Sequence, residues 1–170
     1  ICTNSYRVNK KIIDDYNQNM SINLTKLFSS LPGYHHEASL GINRKFFKNY
    51  SQNQAILGIE NISFSGISSN IKINYGEQVS NILALKNAFD WSFSKQVGKN
   101  SISLFGNINR LWDGKIFGKI RNEKSKSINI GYKFSNGVEV TYGITDVESN
   151  IDYYSSTNHV FNINFINFNF

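Results

Sequence analysis

The first residues with side chains suited to chemistry are two adjacent histidines, His35 and His36, and the Glu37 that follows them. Imidazole and carboxylate groups are common metal ligands. On a strand, however, neighbouring side chains point to opposite faces, so His35 and His36 cannot bind one ion from the same side. We therefore expect no metal site at this run.

The third histidine, His159, has the residue types of a hydrolytic triad near it in the sequence, namely Ser155, Ser156 and Glu148. A triad requires a fixed geometry between nucleophile, base and acid, and this spacing does not provide one. The sequence also contains no glycine-rich phosphate loop, paired-cysteine motif or nucleophile elbow. We interpret His159 as a solvated loop residue and expect no catalysis and no cofactor.

The composition favours strands over helices. The chain of 170 residues suits one domain, 1–170, in which Ile, Phe, Tyr, Ser and Asn are abundant and proline occurs once. Charged residues make up only 18%, yet the mean hydropathy is −0.35. No apolar run approaches the ~18 to 20 residues that a spanning helix needs. A transmembrane barrel combines these properties, because only alternate residues of its strands face lipid.

The net charge of +6 is compatible with anionic lipid headgroups, acidic partners or nucleic acid. Lysine and arginine are scattered and form no continuous stripe, so we expect no nucleic-acid binding. Cys2 is the single cysteine and cannot form an internal disulfide. Residues 1–11 lack the basic and apolar parts of an export signal, so an exported protein would be represented here in mature or truncated form.

Alternation of apolar and polar residues predicts about ten strands, which would position the histidines and the charged residues. Counted back from Phe170, long and short joins alternate, as in a membrane meander with loops at one surface and tight turns at the other. The short joins are predicted at 29–33, 65–66, 97–100 and 135–137, and the last contains an Asn-Gly pair typical of hairpins. We further expect a polar stretch at 9–17, a loop at 44–52, a bulge near Glu60-Asn61 and a long strand at 116–134.

The two faces of these strands have different expected environments. Large apolar and aromatic side chains are expected to face lipid or to form interfacial girdles, a role assigned to Leu85, Phe89, Trp91, Phe93, Trp112, Tyr132 and Tyr142. The opposite face is mainly small or amide-bearing and is expected to line a narrow lumen, with isolated charges at Glu37, Lys72, Lys86, Asp90, Lys133 and Glu139. A soluble barrel or a sandwich would also alternate, but usually with more Lys and Glu on its outer face.

The last segment, 157–170, is interpreted as the strand that closes the barrel. Ile166, Phe168 and Phe170 alternate there with Asn167 and Asn169. Such alternation places the apolar and the amide side chains on opposite faces. A terminal aromatic residue in this pattern is typical of outer-membrane barrels. The sequence therefore predicts an all-β fold, an antiparallel up-and-down transmembrane β-barrel of about ten strands or part of a larger one.

One region resembles a known family. An F-G-x-x-R-x-acidic stretch runs from Phe117 to Glu123, and an S-N-I loop covers Ser149-Asn150-Ile151 before the last strand. With these elements, roughly 110–170 resembles the C-terminal outer-membrane barrel of the surface lipoprotein assembly modifier family. The resemblance implies a barrel that helps to move lipoproteins or secreted cargo to the cell surface. Barrels of that family have more strands and follow a periplasmic helical-repeat domain, so the chain is read as a fragment or a smaller relative.

Three functions remain open at this point. The first is a bacterial outer-membrane barrel that assists export, with outer-membrane lipids, a lipoprotein or secreted cargo and the barrel-assembly machinery as partners. The second is a porin-like channel or a structural barrel. The third is a soluble barrel that binds an apolar ligand inside.

Overall fold

The chain folds as an all-β protein in a computed structural model that describes residues 4–14, 17–28, 34–47, 50–63 and 65–165. Ten strands form one antiparallel sheet in chain order. They are β1 (Asn4–Asp14), β2 (Asn17–Phe28), β3 (His35–Phe46), β4 (Ser51–Ile62), β5 (Ile67–Gly76), β6 (Leu85–Val97), β7 (Asn100–Leu111), β10 (Glu123–Lys133), β11 (Val138–Ser149) and β12 (Ser156–Phe165). Two short strands, β8 (Gly114–Ile116) and β9 (Lys119–Arg121), form a separate hairpin, and a 3-10 turn covers Asp152–Tyr154.

The predicted all-β class and the up-and-down order of ten antiparallel strands are confirmed. The predicted closure into a barrel is not shown, because no pairing joins β1 to β12 among the described residues. The architecture shown is therefore one large antiparallel sheet. Within the described ranges, no helix has the length and apolar character needed to cross a membrane.

Strand register sorts the side chains onto two faces. Leu40, Leu57, Ile73, Phe89 and Ile108 are successive cross-strand partners and share one face. We call this the apolar face, which also carries Ile42, Ile59, Trp91, Phe93, Leu104, Ile128, Ile130 and Tyr142. The residues between them form the polar face, which carries Glu37, Asn43, Gln54, Glu60, Asn70, Lys72, Asp90, Asn107 and Ser127.

Burial is inverted relative to a soluble sheet. On β3, the apolar-face residue Ile42 is 67% exposed, whereas the next residue, Asn43, is 5% exposed. Gln52 and Gln54 are also buried on the polar face. Among the described residues, the buried apolar side chains are those of two small alanines, Ala84 and Ala88. The sheet consequently shelters its polar side chains and presents its large apolar ones.

The sheet curves around its polar face. One cavity of about 300 Å³ is lined by Lys45 of β3 and by Glu123 and Ser125 of β10. Four strands lie between β3 and β10 in the sheet order. Side chains so far apart in the sheet can share one cavity only if the polar face is concave.

Two expectations about the first half of the chain are wrong. β1 extends to Asp14 and β2 begins at Asn17, so the polar stretch at 9–17 is mostly strand. β3 and β4 likewise extend into 44–52 and leave only 47–50 as a join. The physical reason is that backbone pairing between neighbouring strands continues wherever partners are available, even where the side chains are polar. Long and short joins alternate as predicted only from β4 onward.

The predicted bulge near Glu60-Asn61 is also absent, because the register between β3 and β4 continues unbroken through both residues. Asn61 remains on the apolar face, where its Oδ1 lies 2.7 Å from Nδ1 of His36. Within the described pairings, the register shift of the second half lies in β6, between Leu85 and Asn87. The predicted turn at 29–33, Phe64 and the closing residues Ile166, Phe168 and Phe170 lie outside the described residues.

The predicted long strand at 116–134 is interrupted. A turn at Phe117-Gly118 folds the chain back as the β8–β9 hairpin, and β10 then begins at Glu123. The Asn-Gly turn at 135–137 forms as predicted: Gly137 has φ of 86°, and the amide of Phe134 donates to the carbonyl of Val138 at 2.8 Å.

Candidate functional site at the loop end of the sheet

Three long joins meet at one end of the sheet. They are 77–84 between β5 and β6, 112–122 between β7 and β10, and 150–155 between β11 and β12. We call this the loop end, and the opposite end, with the tight turns at 65–66, 98–99 and 135–137, the turn end. The F-G-x-x-R-x-acidic stretch at 117–123 and the S-N-I loop at 149–151 both lie at the loop end.

Arg121 is the centre of the loop end. Its guanidinium carbon lies 3.6 Å from the ring centroid of Tyr154, and its Nη2 forms an ion pair with Oε2 of Glu123. The side chains of Arg121 and Glu123 are only 15% and 18% exposed. Since water is largely excluded from this pair, the stacking and the ion pair are stronger than they would be on an open surface. Arg121 therefore fixes the 112–122 join against the 150–155 join.

Amide hydrogen bonds reinforce the same contact. Asn150 Nδ2 donates to the carbonyl of Ile120 at 2.9 Å, and Asn150 Oδ1 accepts from the amide of Asn122 at 2.8 Å. Ser149 Oγ donates to the carbonyl of Asn122 at 3.2 Å and accepts from the amide of Ile151 at 3.2 Å. The S-N-I loop thus binds the backbone of the F-G-x-x-R stretch, so the two segments form one structural unit.

The 77–84 join is attached to the sheet by Gln52, the most buried large side chain described. Gln52 Nε2 donates to the carbonyls of Glu77 at 2.9 Å and Leu85 at 2.6 Å, and its Oε1 accepts from Nε2 of Gln54 at 2.8 Å. Gly76 leaves the room for this amide, because a Cβ there would collide with Gln52 and with the Leu85 carbonyl.

Trp112 connects the first two joins. Its Nε1 donates to the carbonyl of Gly76 at 2.8 Å, and its backbone amide donates to the carbonyl of Ala84 at 2.8 Å. Lys115 donates its amide to the carbonyl of Asn81 at 3.1 Å. These hydrogen bonds hold the join 77–84 to the join 112–122, which is itself held to the join 150–155.

Glu77 adds an electrostatic attachment at the start of the 77–84 join. Its carboxylate accepts from the Asn53 backbone amide at 2.9 Å and from Asn53 Nδ2 at 3.0 Å. These hydrogen bonds, the backbone one first, lower the pKa of Glu77 below its ordinary value, with a smaller contribution from the positive charge of Arg44. The ionised form of Glu77 therefore favours the docked join.

The β8–β9 hairpin projects an aromatic residue from the loop end. Phe117 is 98% exposed and has a left-handed backbone with φ of 49°, followed by Gly118 at 78°. A bulky residue in that region is strained, by ~1 to 3 kcal/mol. The base of the hairpin is held by Asn150 and Asn81, so the ring is presented from a fixed support.

Most of the residues assigned to lipid or girdles lie on the apolar face. Phe89, Trp91, Phe93, Tyr132 and Tyr142 share it by register. Trp112 lies in the join after β7, at the loop end. Leu85 departs from the expectation: it pairs with Leu111 and lines the polar-face cavity beside Ala88, because the register shift in β6 changes its face.

The residues assigned to a polar lumen mostly lie on the polar face. Glu37 and Lys72 line a cavity of about 300 Å³, and Lys72 and Asp90 line another of about 330 Å³. Lys133 and Glu139 are paired on β10 and β11 near the turn end. Lys86 departs from the expectation, because it is the extra residue of the β6 bulge and its Nζ lies 4.5 Å from the Trp112 ring centroid.

The contacts of the histidines differ from those that a metal site or a hydrolytic triad would require. His35 Nε2 lies 3.5 Å from Oε2 of Glu37, and His36 faces the other way, toward Asn61. The interpretation of His159 as a loop residue is wrong, because it lies in β12 opposite Ile144, and its Nδ1 lies 2.8 Å from the Tyr142 hydroxyl. The described part of the chain brings together no group of three or more His, Cys, Asp or Glu suited to a metal ion.

Sequence reasoning missed the contacts that organise the loop end. Tyr154, Gln52 and Trp112 each act through a partner more than 30 residues away, and no local pattern marks such pairs. One signal was available in the sequence. Gly76 ends an alternating strand at a position where a side chain would be expected, which indicates that other atoms approach the backbone closely there.

Comparison of the chain with protein-family models, with curated proteins and with solved structures finds no match. The geometry of the sheet and of its loop end is therefore the basis for any functional assignment.

Proposed function

We propose that this chain is a transmembrane β-barrel of the bacterial outer membrane that assists the export or surface display of a protein partner. The observation that carries the membrane part is the inverted burial of the sheet: Ile42 and Ile130 are 67% and 53% exposed, while Asn43 is 5% exposed. Lipid is the environment in which that inversion lowers the free energy.

The extent of the apolar face supports this placement. Exposed apolar side chains extend from β2 to β12 and include Ile22, Leu40, Leu57, Ile73, Phe89, Leu104, Ile130, Tyr142 and Ile163. Soluble monomers rarely expose a continuous apolar surface of more than a few hundred Å². Hydrocarbon chains would cover this surface without the hydration cost that water imposes.

The limits of the apolar face agree with a membrane band. On β3 the apolar residues end at His36 and Arg44, and on β4 they end at Asn53 and Asn61. On β7 they end at Arg110, and on β10 they end at Lys126, with Lys124 beyond it. Polar residues at both ends of a strand would lie at the two headgroup layers.

If the apolar face lies in lipid, the sheet must close, and we include closure in the proposal. Unpaired backbone groups at a sheet edge are not tolerated in hydrocarbon. β1 and β12 would therefore pair, directly or through further strands. The concave polar face is consistent with such a cylinder, since β3 and β10 already share a cavity.

The export part of the proposal is supported by the loop end. The segments that resemble the assembly-modifier family are joined there through Arg121, Asn150 and Tyr154. Beside them the β8–β9 hairpin presents Phe117, 98% exposed, and the 3-10 turn of the 150–155 join presents Tyr153, 88% exposed. Rigid exposed aromatic residues are common anchors in protein interfaces.

Fractionation tests the membrane part. The chain, produced with an export signal in a Gram-negative host, should remain in the outer membrane after an alkaline wash and should migrate differently on gels before and after heating. Recovery in the aqueous fraction without detergent would support the soluble ligand-binding barrel instead. That alternative requires apolar side chains on the sheltered face, whereas the structure has polar ones there.

Surface labelling tests the export part. Cells with and without the chain are treated with a membrane-impermeant biotin reagent, and the labelled lipoproteins and secreted proteins are compared. We expect at least one to lose surface exposure without the chain, while its total amount is unchanged. An identical surface profile would contradict export and leave the membrane placement intact.

A porin-like channel is the second candidate, favoured by the polar cavities of about 300 Å³ and 330 Å³ along the concave face. A ten-stranded barrel has a narrow interior in which side chains occupy most of the space. Large, steady conductance of the purified chain in planar bilayers would favour the channel. Small or absent conductance would favour export.

A further inference from the structure

A cleft of about 380 Å³ lies at the loop end, between the ends of β6 and β7 and the ends of β10 and β11. Three basic side chains line it: Lys86, Arg110 and Lys124. They are far apart in the sequence and come together only through strand pairing, which is why no basic cluster is visible in the sequence. Two carboxylates, Glu123 and Glu148, also line the cleft.

Both carboxylates form ion pairs with cations that do not line the cleft, and Glu148 also lies directly opposite Lys124 on the neighbouring strand. Glu123 forms its ion pair with Arg121. Glu148 Oε1 accepts from Lys126 Nζ at 2.6 Å. Five cations therefore face three carboxylates, counting Arg121, Lys126 and Asp146, the cross-strand partner of Lys126, with the groups that line the cleft, so an excess of positive charge remains.

The three basic groups of the cleft are held close to one another by the fold. Arg110 and Lys124 are direct cross-strand partners, which places their Cβ atoms ~4.5 to 5.5 Å apart on one face. Lys86 is the extra residue of the β6 bulge, and bulges redirect side chains. Its ammonium group lies 4.5 Å from the Trp112 ring centroid.

Like charges directly opposite each other destabilise a sheet. In the part of the chain that the structure describes, Arg110 makes no hydrogen bond or ion pair, and Asn87 and Lys124 are its strand neighbours. A bound anion would offset this repulsion. The size of the cleft and the guanidinium and ammonium donors suit a phosphate group, for which Arg provides paired donors and Lys a point charge.

We propose that this cleft binds a phosphate-bearing anion through Arg110, Lys124 and Lys86. The phosphate comes either from a lipid headgroup or from a soluble phosphate compound. The inference is independent of export, because it requires only the cleft and its charges.

The test uses the full chain in a non-ionic detergent without phosphate, at constant ionic strength. Inorganic phosphate is titrated by calorimetry and by the emission of Trp112, with Trp91 replaced by Phe so that one tryptophan remains. We expect saturable binding, and at least tenfold weaker binding in the double variant Arg110→Gln, Lys124→Gln. The matched control, Lys95→Gln with Lys99→Gln, removes the same charge at the turn end and should bind like the parent.

The folding of the variants is checked in the same samples. Because the double variant removes the like-charge pair Arg110–Lys124 together with the opposite-charge pair Lys124–Glu148, it should unfold at about the same denaturant concentration as the parent without phosphate. Phosphate should raise the thermal midpoint of the parent and of the control, but not of the double variant, since a ligand stabilises only the state that binds it.

Two further titrations identify the source of the phosphate. Mixed micelles containing phosphatidic acid are compared with micelles containing phosphatidylcholine, and with glycerol phosphate in solution. Tighter binding of phosphatidic acid would assign the site to lipid headgroups, and equal or tighter binding of glycerol phosphate to a soluble compound. Absence of saturable phosphate binding, equal binding by the double variant, or an equal response to sodium chloride would overturn the proposal.

Discussion

The apolar and polar faces of this sheet are built from the same strands, yet they differ in what they can tolerate. On the apolar face, Ile42 and Ile130 are more than half exposed. On the polar face, Asn43 and Gln52 are buried, and Gly76 leaves no room for a Cβ. We infer that polarity limits substitutions on the apolar face and that volume limits them on the polar face.

The largest effect is expected from a charge introduced on the apolar face, which tests the difference between the two faces. Ile130→Lys should destabilise the protein by ~2 to 4 kcal/mol if the face lies in lipid, because an ammonium group would enter hydrocarbon. Its matched control is Ser127→Lys on the same strand, which lines a polar cavity of about 330 Å³ and has room for the side chain. Unfolding from lipid vesicles by urea measures both. Equal effects would contradict the assignment of the faces.

Volume on the polar face is tested at Gly76. Gly76→Ala should lower the free energy of unfolding by ~1 to 3 kcal/mol, since the new methyl group would meet the Leu85 carbonyl and displace Gln52. Asn70→Ala, on the polar face of the same strand, should cost less. The measurement is denaturant unfolding of both variants. A neutral Gly76→Ala would mean that the loop end is not closely packed.

The attachment of the joins is tested at Arg121. Arg121→Ala removes the stacking on Tyr154 and leaves Glu123 without its cation, for an expected loss of ~1 to 2 kcal/mol. The join 112–122 should then be cut faster by protease, whereas Lys119→Ala on the exposed part of the hairpin should leave cleavage unchanged. Equal cleavage rates in the parent and Arg121→Ala would show that other contacts hold the joins.

The smallest expected effect is a pH dependence at Glu77. Because the pKa of Glu77 is lowered in the folded state, its contribution is present above the ordinary glutamate pKa and is lost as pH falls through the lowered one. Acidification in that range should lower the protection factors of the amides in the 77–84 join, which are corrected for the pH dependence of exchange itself. In Glu77→Gln these protection factors should not change over the same pH range. A pH response retained in the variant would assign the effect to another group.

Much of the sheet was predictable from sequence, because alternation records which side of a strand each residue occupies. In 39–43, for instance, alternation in the sequence predicts Leu40 and Ile42 on one side of a strand and Ser39 and Asn43 on the other, as observed. Strand limits were less predictable: Asn17 opens β2 although its neighbourhood is polar, since pairing with β1 satisfies the backbone. The β8–β9 hairpin was missed because Phe117 adopts a left-handed backbone that its residue type disfavours.

The candidate site was less predictable than the fold. The F-G-x-x-R and S-N-I segments are visible in the sequence, but their contact is not, because it depends on Tyr154 meeting Arg121 and on Asn150 meeting the backbone of Ile120 and Asn122. The register shift in β6 also moved Leu85 and Lys86 away from their expected positions. One extra residue in a strand exchanges the two faces on one side of it, and the side-chain types do not mark where that happens.

The central claim, that the apolar face contacts lipid, can be measured along β10 with a spin label. In a background in which the single cysteine, Cys2, is replaced by Ser, a nitroxide is attached in turn at Ile128, Asn129, Ile130, Tyr132 and Lys133 in lipid vesicles. We predict high accessibility to oxygen and low accessibility to a water-soluble nickel complex at 128, 130 and 132, with lower oxygen accessibility at 129 and 133. The opposite alternation, or no alternation, would contradict the account.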